Sequence, residues 1–349
     1  MRKILFLIVI VLAAWFIYTQ IAEFEQIGDT LKEGEWGFLL LGVLIALAWI
    51  TLSGVILSYI YKVVGLNETW LHMVVTTSAG FFVNVVSTGG VASILAVQLV
   101  EGKRRGNASS RVTVAWAINM LFETVGLLSV VILGLAVLAR RNNLYWGEMT
   151  GFFFLLAIAA GLSIGLYLAM KSARILSNVL AWCVERLNWL LRPILKRELI
   201  APDNARLFAY EAADGVVLLR KNPRQLVILS LMAIFSKALL MLIFLVCFLA
   251  YQLPFSPGTI VAGFSLGYQF VVVSPTPSGI GIVESVWPLF LRTLGVEPGA
   301  DTVIMLTFRA FTFWLPLLVG FVCFRLLPAM PKNAASEIAE IQHDPEIHS

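Results

Sequence analysis

The chain has 349 residues, 59% of them hydrophobic and only 13% charged, with a mean hydropathy of +0.89. A soluble domain carries about 25% charged residues, so a soluble fold would lack the polar surface to cover this apolar content; composition also excludes a disordered chain. Three cysteines and three histidines without a cluster exclude a disulfide scaffold and a structural zinc site, and the net charge of +4 fits basic loops facing anionic lipid, with no nucleic-acid partner expected.

A membrane span needs about 20 apolar residues. Ile4–Thr19 follows Arg2 and Lys3 and reads as a signal anchor. Residues 21–35 pattern as an acidic surface helix, and Trp36–Ile60 is the next span. Leu71–Val100 is apolar but interrupted by Ser87, Thr88, Gly89 and Gly90. Val112–Ala139, Thr150–Met170 and Leu226–Tyr251 are further spans. Gly258–Leu294 is interrupted at Ser274–Gly281, and Thr302–Leu327 is the last span.

Positive charge orients this set. Arg2 and Lys3 place the N-terminus inside, and the glutamates around residue 30 lie outside. If 71–100 crossed the membrane, Lys103, Arg104, Arg105 and Arg111 would be external. The segment is therefore expected to re-enter and leave on the inner face. Placing 258–294 as a hairpin from the outer face leaves only Lys32, Arg140, Arg141 and Arg292 of the basic residues outside, with Lys237 and Arg309 within the membrane.

The expected fold is an all-α polytopic membrane protein of six full spans and two re-entrant broken hairpins. Residues 1–332 form one integral membrane domain, with 36–139 and 226–327 as an inverted-topology repeat. Both hairpin tips share a Val-Val-Ser approach, at 85–87 and 272–274, and a Gly-rich turn. Residues 171–224 read as cytoplasmic amphipathic helices, lying on the inner leaflet or packed on the bundle. Residues 333–349 form a polar tail. The expected location is the cytoplasmic membrane, multi-pass, with both termini inside.

Non-helical backbone at membrane depth must be buried in protein or line a wet cavity, and its freed N–H groups attract anions. In the second tip Pro275 and Pro277 forbid a continuous helix, Gly279 and Gly281 permit a tight restart, and Glu284 falls one turn into the new helix. Charges in hydrocarbon default to functional candidates. Glu123 and Lys237 sit at matching depth, so they can pair. Either they form a structural lock, or Lys237 and Arg309 present positive charge to a phosphate while Glu123 and Glu284 hold them in place. Asn84, Asn119 and Gln98 read as interhelical hydrogen-bond partners. Gly263-Phe264-Ser265-Leu266-Gly267 matches a hydrolase motif, but it lies mid-helix and far from any histidine, so small-residue packing is the better reading. No P-loop or dinucleotide fingerprint is present, and neither an enzyme nor a cofactor is expected.

The run Ser274-Pro275-Thr276-Pro277-Ser278-Gly279-Ile280-Gly281-Ile282-Val283-Glu284 resembles the P-T-P-G-G-x-G-x-x-E signature of the lysylphosphatidylglycerol synthase transmembrane-region, or flippase-like, family. The resemblance covers roughly residues 5–330. Ser278 replaces the second signature glycine, and Val91-Ala92 stands where many members have Gly-Glu. The resemblance therefore transfers site roles only to Pro275, Pro277, Gly279, Gly281 and Glu284. It implies translocation of an anionic or zwitterionic phospholipid, or of a polyprenyl-phosphate sugar, between leaflets. The alternatives are a scaffold for a lipid-modifying glycosyltransferase, with that enzyme or a second copy of the chain as partner, and a small-solute or ion transporter. The expected translocation site comprises Ser87, Thr88, Gly89, Gly90, Glu123, Lys237, Pro275, Thr276, Pro277, Gly279, Gly281, Glu284 and Arg309.

Overall fold

The computed structural model describes residues 26–86, 91–140, 223–274 and 279–327, together with scattered helical positions between 152 and 186. The expected first span, the inner-loop helices beyond 186, the polar tail and both tip centres (87–90 and 275–278) lie outside the described residues. The span expected at Thr150–Met170 is described only at its scattered helical positions.

Four described helices are long and apolar enough to cross a membrane. They are α1 (Trp36–Val63), α4 (Ser109–Arg140), α5 (Pro223–Ala250) and α8 (Ala300–Leu326). Between α1 and α4 lie α2 (Trp70–Val86) and α3 (Val91–Arg104); between α5 and α8 lie α6 (Pro257–Val273) and α7 (Ile282–Thr293). These four shorter helices are each below the length that crosses a bilayer unaided.

Each short pair is an antiparallel hairpin. In the first, Gly80 lies against Ile94 and His72 faces Glu101. In the second, Gly267 and Gly263 lie against Trp287 and Leu291, and Trp287 Nε1 donates to the Gly263 carbonyl at 3.0 Å. A Cβ on Gly267 would fall 1.9 Å from the indole. The glycine-serine run in α6 is therefore a packing surface, as its position in an apolar helix indicates.

The hairpins open from opposite ends of the bundle. α1 and α5 are antiparallel: Glu35 N donates to Ala250 O at 2.8 Å, and midway Trp49 Nε1 donates to Ser236 Oγ at 3.2 Å. Hairpin 1 follows the end of α1 and hairpin 2 the end of α5, so their bases lie at opposite ends. Positive charge leads one to expect the base of hairpin 1 on the inner face, and the two ends of the bundle are called inner and outer in that expected sense only.

Packing repeats with the same inversion. The first arm of each hairpin lies along the last helix of the other half: α2 on the second half of α8, and α6 on α4. Gly320 meets the Ser78 carbonyl in one contact, and Gly134 meets the Ser265 hydroxyl in the other. Ser78 and Ser265 stand at the same position counted from the start of α2 and α6, and the two glycines at the same position counted back from the ends of α8 and α4. Trp49 and Ser236 likewise occupy equivalent positions of α1 and α5, so their contact lies on the axis relating the halves.

Burial divides accordingly. One apolar core joins α4, α5, α6, α7 and α8 at the outer end and includes Phe244, Phe264, Trp287 and Phe308. A second joins α1, α4 and α5 at the inner end through Ile56, Tyr61, Ile118 and Leu229. Between them a small cluster of Val85, Ile280 and Phe313 brings the two hairpin tips together against α8.

Candidate functional site

The tip of hairpin 2 is built by backbone conformation first. Gly279 and Gly281 have φ of 75° and 83°, a left-handed region that disfavours other residues. A Cβ on Gly279 would also fall 2.4 Å from the Val283 side chain. These turns restart the chain as α7, whose first-turn carboxylate Glu284 accepts the Gly281 N–H at 2.6 Å. A carboxylate there satisfies an otherwise orphaned donor and complements the helix dipole.

The other oxygen of Glu284 meets Arg309 Nε at 2.6 Å. Arg309 is only 2% exposed, and its guanidinium stacks over Phe313 at 4.5 Å. Phe313 lies in a π-helical turn at Ala310–Trp314, which interrupts α8 just before Pro316. Proline has no N–H to donate back into the ladder, and wider turns of this kind concentrate at functional sites. Because Phe313 also packs with Val85 and Ile280, a buried cation stands beside the place where the tips meet.

A second charged pair lies near the middle of α4 and α5. Lys237 Nζ donates to Glu123 Oε2, and the ammonium also faces the Tyr268 ring at 5.4 Å. Lys237 is 3% exposed, whereas the Glu123 side chain is 32% exposed. The helices approach closely here: a Cβ on Gly126 would lie 3.0 Å from the Ala233 carbonyl oxygen. Phe264 stacks on Tyr268 and meets Phe308, the residue before Arg309, edge-on. The two ion pairs are thus distinct, linked through a run of aromatic contacts.

Both hairpin bases are clasped by arginine and carboxylate. At the inner end Arg105 donates to Glu68 at 3.1 Å and to His72 Nδ1 at 3.1 Å, and Arg104 donates to Glu101 at 3.4 Å. The Arg105 contact makes Nδ1 an acceptor, so the imidazole proton sits on Nε2, facing Thr76 Oγ1 at 3.3 Å. Burial, and then Arg105, hold this imidazole below its usual range. At the outer end Arg292 donates to Asp301, which is fully buried.

A cavity of about 640 Å³ opens at the outer end among Glu33, Tyr251, Gln252 and Ala300. Below it the Tyr251 hydroxyl donates to the Thr30 carbonyl at 3.1 Å and lies 2.8 Å from Thr307 Oγ1, two residues before Arg309.

Of the residues singled out from sequence, Glu284, Gly279, Gly281 and Arg309 converge at one tip, and Glu123 pairs with Lys237. Ser87, Thr88, Gly89, Gly90, Pro275, Thr276 and Pro277 lie outside the described residues. The interhelical hydrogen bonds expected of Asn84 and Gln98 are not made by their side-chain oxygens, which are buried without a hydrogen-bond partner among the described residues. Amide oxygens find partners only where neighbouring helices present donors, and helical spacing alone does not reveal that. Phe313 and the π turn were also missed, and the only sequence signal for them is Pro316.

The sequence model of a family described as "Lysylphosphatidylglycerol synthase TM region" matches residues 4–320. No curated protein matches the chain.

Proposed function

Because the chain belongs to the lysylphosphatidylglycerol synthase TM-region family, we propose that it is a flippase-like lipid transporter of the cytoplasmic membrane, with both termini inside. It moves the phosphate-bearing headgroup of a phospholipid or lipid-linked sugar between leaflets while the acyl chains stay in the bilayer. The observation that carries this reading is the buried Arg309, held by Glu284 beside the meeting point of two hairpins that open from opposite ends.

A desolvated guanidinium needs a counter-charge. Without substrate Glu284 supplies it. A headgroup phosphate replaces Glu284 on the guanidinium, matching its planar fork in two parallel hydrogen bonds. Glu284 keeps the Gly281 N–H as partner, so the displaced carboxylate is not stranded. Lys237 offers a second cationic station, linked to the Arg309 region by the Tyr268, Phe264 and Phe308 rings. The tips touch through Val85, Ile280 and Phe313, so passage requires the hairpins to part. In this reading a headgroup enters from the outer end through the cavity lined by Tyr251, whose hydroxyl meets Thr307 two residues before Arg309. No nucleotide motif is present, so movement runs down a lipid gradient or is coupled to protons carried by Glu123 and Glu284. The protein performs no covalent chemistry in this scheme, and its partners are membrane lipids.

The test is leaflet exchange in proteoliposomes carrying acyl-labelled phospholipids and lipid-linked sugars. Arg309→Ala and Lys237→Ala abolish exchange while inserting normally. Absence of exchange by the wild-type protein across a broad lipid panel overturns the proposal.

A further inference from the structure

The last helix is divided between the two hairpins. Its first half, Ala300–Arg309, packs on α7 and α5, with Phe308 edge-on to the Trp287 ring at 5.0 Å. Its second half, Leu315–Leu326, packs along α2: Gly320 seats on the Ser78 carbonyl, and the Phe82 ring lies 5.5 Å from that of Phe321. The base of hairpin 1 is held against α1, where Gly54 abuts the Val74 backbone, so its tip is the end free to swing. Any swing of that tip away from hairpin 2 carries Leu315–Leu326 with it and is taken up between the two halves of α8.

That stretch is the π turn. Leu315 N donates to Ala310 O, five residues back, and Thr312 Oγ1 donates to the Phe308 carbonyl at 2.8 Å. Pro316 brings no N–H, so the helical ladder is one bond short here, and helices bend where prolines and π turns interrupt them. Phe311 holds the turn against Gly42 of α1. Phe313 meets Phe81 and Val85 of hairpin 1, Ile280 of the hairpin 2 tip, and the Arg309 guanidinium.

The other repeat has no such joint. Counted back from the helix ends, Ala310–Trp314 corresponds to Thr124–Leu128, where α4 is a continuous helix without proline and Gly126 seats on α5. Hairpin 2 lies along this unbroken helix through Ser265 and Gly134, and it joins the outer apolar core.

We propose that Phe313 is the gate of the Arg309 site and the π turn its hinge: the tip of hairpin 1 swings with Leu315–Leu326 as one body, while hairpin 2 stays with α4, α5 and the first half of α8. Opening withdraws Phe81 and Val85 from Phe313 and lets the ring leave the guanidinium, which is thereby uncovered. Phe313 acts through Arg309 and is a positioning residue. The purpose of the gate rests on the transport reading, but the motion is measured without transport.

The test is the distance between spin labels on the full-length protein in phosphatidylglycerol nanodiscs, with Cys183, Cys247 and Cys323 replaced by alanine. Leu289→Cys with Leu318→Cys reads across the hinge, and Val86→Cys with Leu318→Cys reads within the moving body; all three side chains are exposed. The first pair should give two distances and the second pair one. Pro316→Ala gives the closed turn a donor that bending would break, so it should lower the open population about fivefold, the worth of one net hydrogen bond. Phe313→Leu should raise that population without lowering the melting temperature. A single distance across the hinge in the wild type, two distances within the body, or a distribution that both variants leave unchanged overturns the inference. In proteoliposomes, a disulfide between Val85→Cys and Ile280→Cys should stop lipid exchange until it is reduced, whereas one between Phe82→Cys and Phe321→Cys should not. Exchange that survives the tip disulfide sinks the gate. Two distances without exchange by any form of the protein sink the transport reading alone.

Discussion

The two repeats are alike where they hold the fold and unlike where the tips meet. α1 and α5 are both 28 residues long, and α2 and α6 are both 17. The Gly134–Ser265 and Gly320–Ser78 contacts are equivalent, and each base has its arginine–carboxylate clasp. At the tips the symmetry ends. Where the second repeat has Glu284, the first has Ser93, counted from the starts of α7 and α3; and where the second has the cation Arg309, the first, in the register that pairs Gly320 with Gly134, has the anion Glu123. Where the first has Asn84, Thr77 and Gln98, the second has Val271, Phe264 and Leu289. Features the repeats share follow from the need to pack two inverted halves. Features that differ between them, above all the opposite charges Arg309 and Glu123, are where the proposed transport role is to be tested.

The sharpest way to break this comparison is to remove the charge from one tip. Arg309→Ala should lower leaflet exchange at least a hundredfold, because no other buried cation adjoins the tips among the described residues. Arg309→Lys keeps the charge but loses the fork and the Phe313 stacking, so it should recover only part of the rate. Equal rates for wild type and Arg309→Ala would return the tip to the scaffold.

The Glu123–Lys237 pair comes next, and stability measurements separate its two roles. Lys237→Met alone leaves Glu123 without its partner and should cost roughly 3 kcal/mol, the low end of values for broken buried pairs because Glu123 is partly exposed. The double variant Glu123→Leu, Lys237→Met should recover most of that loss. If its melting temperature returns to wild type while exchange stays abolished, the pair serves transport. If exchange returns as well, it is a lock between α4 and α5.

Smaller effects test the shared scaffold. A Cβ on Gly320 would sit 2.4 Å from the Ser78 carbonyl oxygen, and one on Gly134 would sit 1.9 Å from the Ser265 hydroxyl. Gly320→Ala and Gly134→Ala should each destabilise by about 1–3 kcal/mol, with Gly320→Ala the worse because backbone yields less than a serine rotamer. Thermal unfolding in detergent measures both. Unchanged stability in either would remove the equivalent contact from the fold's support.

Much of this scaffold was legible in the sequence. The interruption at Gly89-Gly90, the basic run at Lys103–Arg105 and the Pro-Gly segment at 275–281 place both hairpins, because helix breaks and charge act locally. The described helices begin and end within a few residues of the expected spans. Glu284 and Arg309 were visible as charges in apolar runs, but their union was not, since it is a tertiary contact between α7 and α8 that no local pattern encodes. The unmet oxygens of Asn84 and Gln98 were illegible for a stronger reason. An amide in a membrane helix normally finds a donor, and only the packed neighbours reveal that here none is found among the described residues.

The smallest expected effect distinguishes the two bases. His72 packs among Glu68, Glu101, Arg104 and Arg105, with Tyr61, Thr76, Gln98 and Asn107 completing its surroundings, whereas the Arg292–Asp301 base has no histidine. Burial and Arg105 depress the His72 pKa, so the neutral imidazole favours the folded clasp. Its contribution is complete above the unfolded value near 6.5. It erodes as pH falls below that value, because the unfolded chain takes up the proton first, and it is lost once the pH drops through the lowered folded value. Protonation also removes the acceptor that Arg105 uses. Hydrogen exchange at residues 68–76 and 98–107 should therefore quicken between pH 7.5 and 5.5, by an amount worth less than about 1 kcal/mol for a half-buried group. Residues 290–301 should not change by this route. His72→Gln, which keeps an acceptor and a donor but does not titrate, should flatten the response at the inner base. If the response persists in that variant, the glutamates drive it, and the two bases differ in sequence without differing in behaviour.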